Sequence, residues 1–144
     1  MARYVTTVRT QQPAAEAFAY MADLRHFAEW DPGVKRVVQV EGEGGGSNTE
    51  FDVTVTGTTL RYRTLLHRPN EELVVVARSR TLTSTDKVIV RADGEGSLVT
   101  YDAVLELNGV LGLFDPLLKL AFGRIGGRAA AGLRTALGGV DVPA

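Results

Sequence analysis

The chain contains no cysteine and only two histidines. The missing cysteines exclude disulfide bonds, thiolate metal sites and cysteine nucleophiles, and they are typical of a reducing compartment, so a cytoplasmic location is expected. His26 and His67 have no partner at the spacing of a zinc motif, which normally needs three or four protein ligands. The glycine-rich run 42–46 lacks the lysine, the hydroxyl residue and the helix of a phosphate-binding loop. No metal, nucleotide or other cofactor is therefore expected.

An excess of charge is also missing, because 16 basic and 17 acidic side chains give a formal net charge of −1. A protein that neutralises phosphate groups normally has a strong positive excess, so nucleic acid is not expected as a partner. The sequence has no run of roughly 20 apolar residues that could span a membrane. Its first residues alternate like a strand and do not form the apolar stretch of a signal peptide. No integral membrane association is expected, and the oligomeric state stays open.

The sequence patterns that are present predict one α+β domain over residues 1–144. Apolar residues at every second position alternate with turn residues, which predicts consecutive hairpins and an antiparallel sheet in meander order. Strands are predicted at 3–10, 34–40, 50–56, 60–67, 73–80, 83–92 and 98–107. Two short helices are predicted between the first two strands, one beginning after Pro13 and one near 23–28.

A long helix is predicted near 116–137, at the end of the chain. Asp115 is expected to cap it, Pro116 suits its first turn, and Gly138 is expected to end it. Four glycines inside it, at 123, 126, 127 and 132, each cost about 1 kcal/mol relative to alanine. Close approach to the sheet, extra cavity volume or a bend would each account for them.

Three segments carry a resemblance to a known family: residues 23–34 (DLRHFAEWDPGV), residues 66–69 with 72–74 (LHRP and ELV), and residues 93–101 (DGEGSLVTY). Together with the order of elements, they resemble the START-like or SRPBCC superfamily of polyketide cyclase/dehydrase-like proteins, although His67 stands where tyrosine is more usual. The resemblance implies a helix-grip fold, in which a curved antiparallel sheet of about seven strands wraps around a long C-terminal helix. It also implies a cavity for a small hydrophobic molecule. Members include binding proteins, lipid carriers and cyclases.

The gap between sheet and helix is expected to be lined by the more apolar face of each strand. This choice of face also turns Val38 and Val40 inward. The candidate ligand-binding residues are Trp30, Phe51, Val53, Tyr62, Thr64, Leu66, Asp86, Val88, Tyr101, Ala103, Leu118, Phe122, Ile125 and Ala129. The same side chains could instead meet and fill the space as an ordinary core, since periodicity does not separate the two cases.

Tyr62 and Tyr101 are the best candidates for polar contacts inside the cavity, because a buried phenol needs a hydrogen-bond partner. In cyclase members of the family, cavity tyrosine and arginine side chains are thought to orient and protonate the polyketide, and Arg128 could join the two tyrosines here. Asp86 should turn inward with Val88. It could then be a base with a raised pKa, or it could reach water at the rim or pair with Arg80 or Lys87.

Three functions follow from these observations, and no catalytic residue is assigned. The leading hypothesis is non-covalent binding of a small hydrophobic molecule of the polyketide, lipid or isoprenoid class. The first alternative is an enzyme of the cyclase, aromatase or dehydratase type that uses cavity Tyr, Arg or Asp groups. The second alternative is an interaction protein with a vestigial cavity.

Overall fold

The computed structural model describes residues 1–142 and has the predicted α+β architecture. Its helices are α1 (Ala14–Ala22), α2 (Phe27–Trp30) and α3 (Asp115–Leu137). Short 3-10 helices at Leu24–His26 and Gly109–Phe114 precede α2 and α3. The strands are β1 (Ala2–Thr10), β2 (Val34–Glu41), β3 (Glu50–Val55), β4 (Thr58–Arg68), β5 (Glu72–Arg78), β6 (Leu82–Asp93), β7 (Gly96–Leu107) and β8 (Val140–Asp141).

All eight strands belong to one antiparallel sheet, in the order β2-β3-β4-β5-β6-β7-β1-β8. The meander from β2 to β7 is confirmed, and β1 pairs along its full length with β7. The eighth strand has two residues, which pair with the other edge of β1, at Val8 and Arg9. The segment Val140–Asp141 therefore covers part of an edge of β1 that the sequence pattern left open. None of the helices in the described residues is long and apolar enough to cross a membrane.

The inward face of β2 differs from the predicted one. Val38 and Val40 are about 40% and 39% exposed, whereas Val34 is buried and Val37 packs against the core. The register of β2 against β3 shifts between Val34 and Arg36. An extra residue at such a bulge reverses which side chains point inward, because strand side chains alternate with a period of two. The prediction that Val38 and Val40 line the cavity is therefore wrong.

The two halves of α3 have different environments. Every buried residue of the helix lies at or after Gly126, and these residues include Ala129, Leu133 and Leu137, which belong to the core. The first half is not buried, and Leu117 and Leu120 are 66% and 69% exposed. The helix therefore packs against β1 and α2 with its second half and leaves space beneath its first.

The ends of α3 confirm one prediction and correct another. Gly138 ends the helix in the left-handed conformation, with a φ of 61°, and its N–H bonds the Arg134 and Thr135 carbonyls. Asp115 does not cap the helix but is its first residue, and its carboxylate accepts a hydrogen bond from the amino group of Met1. The 3-10 turn before it was not predicted, and Phe114 occupies the cap position without a side-chain bond.

Two of the helix glycines allow close packing. A methyl group built on Gly132 would overlap the carbonyl oxygen of Trp30, and one built on Gly126 would overlap the ring of Tyr4. A methyl group on Gly123 or Gly127 would meet no atom within 4 Å. Close approach therefore accounts for Gly126 and Gly132, which bring α3 onto α2 and β1.

Candidate ligand cavity

A cavity of about 520 Å³ lies between the sheet and the first half of α3. Its wall comprises the turn before β2, strands β2, β3, β4, β6 and β7, and one face of α3. The lining side chains are largely apolar at the perimeter, where Leu60, Leu105, Phe122 and Ile125 lie. The full set of lining residues is Asp31, Pro32, Gly33, Val34, Lys35, Val53, Val55, Thr56, Thr58, Leu60, Tyr62, Leu82, Ser84, Asp86, Tyr101, Ala103, Leu105, Phe122, Ile125 and Arg128.

Small side chains at the centre of the sheet help to create this space. On β6, Ser84 lies beside Ala77 of β5, and Asp86 lies beside Ala103 of β7. Ser84, Asp86 and Ala103 line the cavity, so a large apolar residue at any of these three positions would extend into it. No residue of α3 before Gly126 is buried, so the first half of the helix does not close this space as the second half closes the space over β1.

Two hydrogen-bonded pairs lie at the base of the cavity. The Tyr62 hydroxyl donates to Ser84 Oγ at 2.7 Å, and the Tyr101 hydroxyl donates to Asp86 Oδ2 at 2.9 Å. All four side chains are buried, and Asp86 is only 4% exposed. Since alternate residues of a strand share a face, Ser84 and Asp86 present both pairs to the same space.

Burial changes the acidity of these groups. Loss of solvation raises the pKa of Asp86 to about 7, although the hydrogen bond from Tyr101 opposes the rise. The charges of Asp31 and Asp102 add to it. Burial, together with the charge of Asp86, also raises the pKa values of Tyr62 and Tyr101, so both phenols stay protonated and act as donors. Asp86 therefore changes its charge near neutral pH inside an apolar cavity.

The position of Asp86 contradicts two of the alternatives left open for it. It does not reach the rim, and its hydrogen bond comes from a phenol rather than from Arg80 or Lys87. Lys87 pairs with Glu72 on the opposite face of the sheet. The sequence argument that turned Asp86 inward with Val88 was sufficient to locate it.

Seven of the predicted site residues lie on the cavity wall: Val53, Tyr62, Asp86, Tyr101, Ala103, Phe122 and Ile125. The other seven do not: Trp30, Phe51, Thr64, Leu66, Val88, Leu118 and Ala129. Phe51, Val88 and Ala129 are core residues. Thr64, which follows Tyr62 on β4, shares a hydrogen bond with the hydroxyl of Thr49. The prediction for Leu66 is wrong, because the register of β4 against β5 shifts between Thr64 and Leu66. His67 points inward in its place, opposite the buried Leu73 and against the ring of Phe18. At the other strand positions the choice of face selected inward residues, but it could not say which of them the helix covers.

Trp30 supports the cavity from behind. Its ring is 1% exposed and packs edge-to-face on Tyr101, with ring centroids 5.1 Å apart, and also on Phe27. Its carbonyl lies against Gly132. The tryptophan therefore anchors the turn against α3 and fixes the ring of Tyr101, and it does not form the cavity wall.

Asp31 is a cavity residue that the sequence reasoning missed. In sequence it looks like an ordinary turn residue, and its Oδ1 does accept the Gly33 N–H at 2.9 Å. The half-buried carboxylate also lines the cavity, where burial raises its pKa while the Gly33 N–H opposes the rise. In the sequence, the one feature of Asp31 that could have indicated a place beside the cavity is its position directly after Trp30.

A second cavity, of about 630 Å³, lies at the C-terminal end of β1. Its lining includes Arg9, Asp93 and Glu95 together with backbone around Gly96 and Gly138. Arg9 and Asp93 already form an ion pair at 3.0 Å, and both are exposed. This polar surface cleft does not offer the apolar wall that a hydrophobic molecule requires.

Comparison with known proteins places these features in a family. The family described as polyketide cyclase / dehydrase and lipid transport matches residues 1–138. A START superfamily protein from Mycobacterium smegmatis is 15% identical, with 96% of this chain and 98% of that chain covered and a TM-score of 0.74. A protein from Thermus thermophilus is also 15% identical, with 94% of this chain and 95% of that chain covered and a TM-score of 0.69. The di-domain ARO/CYC StfQ of the steffimycin biosynthetic pathway is 17% identical and has a TM-score of 0.63. The match covers 95% of this chain and 52% of that chain. None of the curated proteins matches the chain.

Proposed function

Because the chain belongs to the polyketide cyclase/dehydrase and lipid transport family, we propose that it binds one small, largely apolar molecule between the sheet and the first half of α3. The observation that carries this proposal is the cavity of about 520 Å³, which falls within the usual range of small-molecule sites, about 300–1,000 Å³. A vestigial cavity would be filled by its own side chains. Ser84 and Ala103 instead keep the base of this one open.

The polar base of the cavity indicates what kind of molecule fits. Within the described residues the hydroxyl hydrogen of Ser84 and Oδ1 of Asp86 have no hydrogen-bond partner, and a pure hydrocarbon would supply none in place of water. A carbonyl or hydroxyl group on the ligand would meet them, while its apolar body would lie along Leu60, Phe122 and Ile125. The ligand is therefore an oxygen-bearing apolar molecule of the polyketide, lipid or isoprenoid class.

The mouth of the cavity carries positive charge. Lys35 of β2 and Arg128 of α3 are exposed and also line the cavity. A ligand with an anionic end would meet these cations at the surface while its apolar part stays below. The proposed orientation is thus oxygen group inward, apolar body in the middle and any charged end at the mouth.

Filling the cavity tests the proposal. Ala103→Leu adds three carbon atoms beside Asp86, at a wall position that is 5% exposed, and we expect it to weaken binding of the uncharged dye Nile red at least tenfold. Ala19→Leu makes the same chemical change on the exposed face of α1 and should bind the dye like the wild type. Fluorescence titration measures both. Overpacking typically costs about 1–3 kcal/mol, so circular dichroism must first show that each variant is folded.

Equal dye affinity in folded wild type and folded Ala103→Leu would contradict the cavity assignment. Native mass spectrometry of the freshly purified protein adds the identity of the ligand, since a bound apolar molecule of matching volume would appear as a fixed mass increment. The increment should disappear in Ala103→Leu and persist in Ala19→Leu.

A further inference from the structure

The base of the cavity contains the parts of an acid–base site as well as a binding site. We propose that the protein catalyses enolisation of apolar ketones, with Asp86 removing a proton from the carbon next to the ketone carbonyl. This inference rests on the proposed function, because the ketone must occupy the cavity. It assigns Asp86 as the catalytic base, Ser84 and Tyr62 as the groups that bind the carbonyl oxygen, and Tyr101 as a positioning residue.

The carboxylate of Asp86 is free to act as a base. Buried carboxylates usually have a cationic partner, and the other buried one within residues 1–142, Asp23, pairs with Arg25 at 2.6 Å. Asp86 takes part in none of the ion pairs found in this range. Its Oδ2 accepts the Tyr101 hydroxyl, whereas its Oδ1 has no hydrogen bond within the described residues. Oδ1 is therefore the atom available to a ligand in the cavity that Asp86 lines.

A donor for the carbonyl oxygen lies at a suitable distance. Ser84 Oγ accepts the Tyr62 hydroxyl, so the serine hydroxyl hydrogen can point to a ligand. Ser84 and Asp86 are two residues apart on β6, and the Cα atoms of alternate strand residues are roughly 6.4–6.8 Å apart. A carbonyl group and its neighbouring carbon fit between a donor and a base at this separation.

The step balances without any other reactant. The C–H bond next to the carbonyl breaks, and its proton moves to Asp86 Oδ1. The electron pair of that bond forms a carbon–carbon double bond as the carbonyl oxygen becomes an enolate oxygen. The Ser84 hydroxyl, itself hydrogen-bonded by Tyr62, stabilises the negative charge on this oxygen. Return of a proton from Asp86, after its exchange with solvent, regenerates the ketone.

The surroundings of Asp86 give this base a suitable strength. The titratable or charged side chains that share its cavity are Asp31 from the turn before β2, Lys35 of β2, Tyr62 of β4, Tyr101 of β7 and Arg128 of α3. Asp102, on the other face of β7, adds a smaller effect. Burial dominates, and a pKa of about 7 leaves Asp86 ionised above neutral pH while it remains a stronger base than an ordinary carboxylate.

Deuterium exchange into 1-tetralone tests the inference. This uncharged bicyclic ketone has a CH₂ group next to its carbonyl, and proton NMR in D₂O follows the loss of that signal. We expect the wild type to accelerate the exchange, and Asp86→Asn to lower the protein-dependent rate roughly 10²–10⁴-fold. Asp52→Asn, the same substitution at a carboxylate that pairs with Arg61 away from the cavity, should exchange like the wild type.

The pH profile separates a base from a structural carboxyl. The exchange rate should rise with pH and level off above a midpoint near 7. Tyr101→Phe removes the hydrogen bond that lowers the pKa of Asp86, so it should move this midpoint upward. A purely structural role of Tyr101 would reduce the amount of folded protein and leave the midpoint unchanged.

Displacement of Nile red by 1-tetralone, measured in parallel, distinguishes the two proposals. If the ketone displaces the dye but exchanges equally fast with wild type and Asp86→Asn, the enolisation proposal is overturned and the binding proposal stands. Enolisation is likewise overturned, and binding likewise stands, if the dye binds and the ketone does not displace it. If the dye does not bind, the binding proposal fails and the enolisation proposal fails with it.

Discussion

Asp86 is a carboxyl group that the fold holds away from water, 4% exposed and hydrogen-bonded to a neutral phenol. Such a group is neutral in the folded protein at pH values where it is already ionised in the unfolded chain. Folding then binds a proton, and the free energy of unfolding falls as the pH rises. The loss begins above the ordinary pKa of 3.8 and is complete above about 7, where both states are ionised.

Asp86→Asn should remove this pH dependence while keeping an acceptor for Tyr101. Relative to the wild type, the variant should gain stability between pH 5 and pH 8, by roughly 2–3 kcal/mol if each tenfold change in acidity contributes about 1.4 kcal/mol. Urea unfolding at the two pH values measures the difference. Asp52→Asn is the control, and its stability relative to the wild type should not change between pH 5 and pH 8. The hydrogen bond from Arg61 lowers the pKa of Asp52, so this carboxyl titrates below that range. If the free energies of unfolding of the wild type and Asp86→Asn differed by the same amount at pH 5 and pH 8, Asp86 would be solvated in the folded protein.

At the scale of the elements, α3 combines a tightly packed half with an open half. Gly132 lets the packed half approach the carbonyl of Trp30, whereas Gly127 faces open space. Alanine at each position tests this reading with the same added methyl group.

Gly132→Ala should destabilise the protein by about 1–3 kcal/mol, because the methyl group overlaps backbone that cannot move aside cheaply. Gly127→Ala should stabilise it by up to about 1 kcal/mol through helix propensity. Urea unfolding at neutral pH gives both values. Similar effects at the two positions would mean that α3 does not lie against α2 as described.

The element boundaries also show what the sequence could predict. Period-two segments located β2 to β7 within a few residues, and proline and glycine located both ends of α3. The inward face of β2 was wrong because a bulge at Val34–Arg36 leaves no signature in the alternation of Lys35, Arg36, Val37 and Val38. A bulge is set by pairing with β3, and such pairing is not a local property.

At the scale of the whole molecule, the order of elements and the family resemblance predicted a cavity between sheet and helix. They could not predict its boundary. That boundary depends on where α3 leaves the sheet, and this follows from the packing of Gly126 on Tyr4 and of Gly132 on Trp30. Phe51 shares the inward face with Tyr62 but belongs to the core, and so does Ala129 on the packed half of α3.

Ligand binding should therefore join the sheet to the open half of α3. In the free protein none of the residues 115–125 is buried, so their amides should exchange with deuterium much faster than those of 126–137. A molecule seated against Phe122 and Ile125 covers the first half, and from the second half only Arg128 lines the cavity, at its mouth. Saturating Nile red should then slow exchange in peptides covering 115–125 at least several-fold, with little change in 126–137, as measured by hydrogen-exchange mass spectrometry. Ala103→Leu with the same dye should exchange like the free protein. Uniform protection along α3, or bound dye with no protection of residues 115–125, would place the ligand elsewhere, because only the cavity wall brings this half of the helix and the central strands into contact with one molecule.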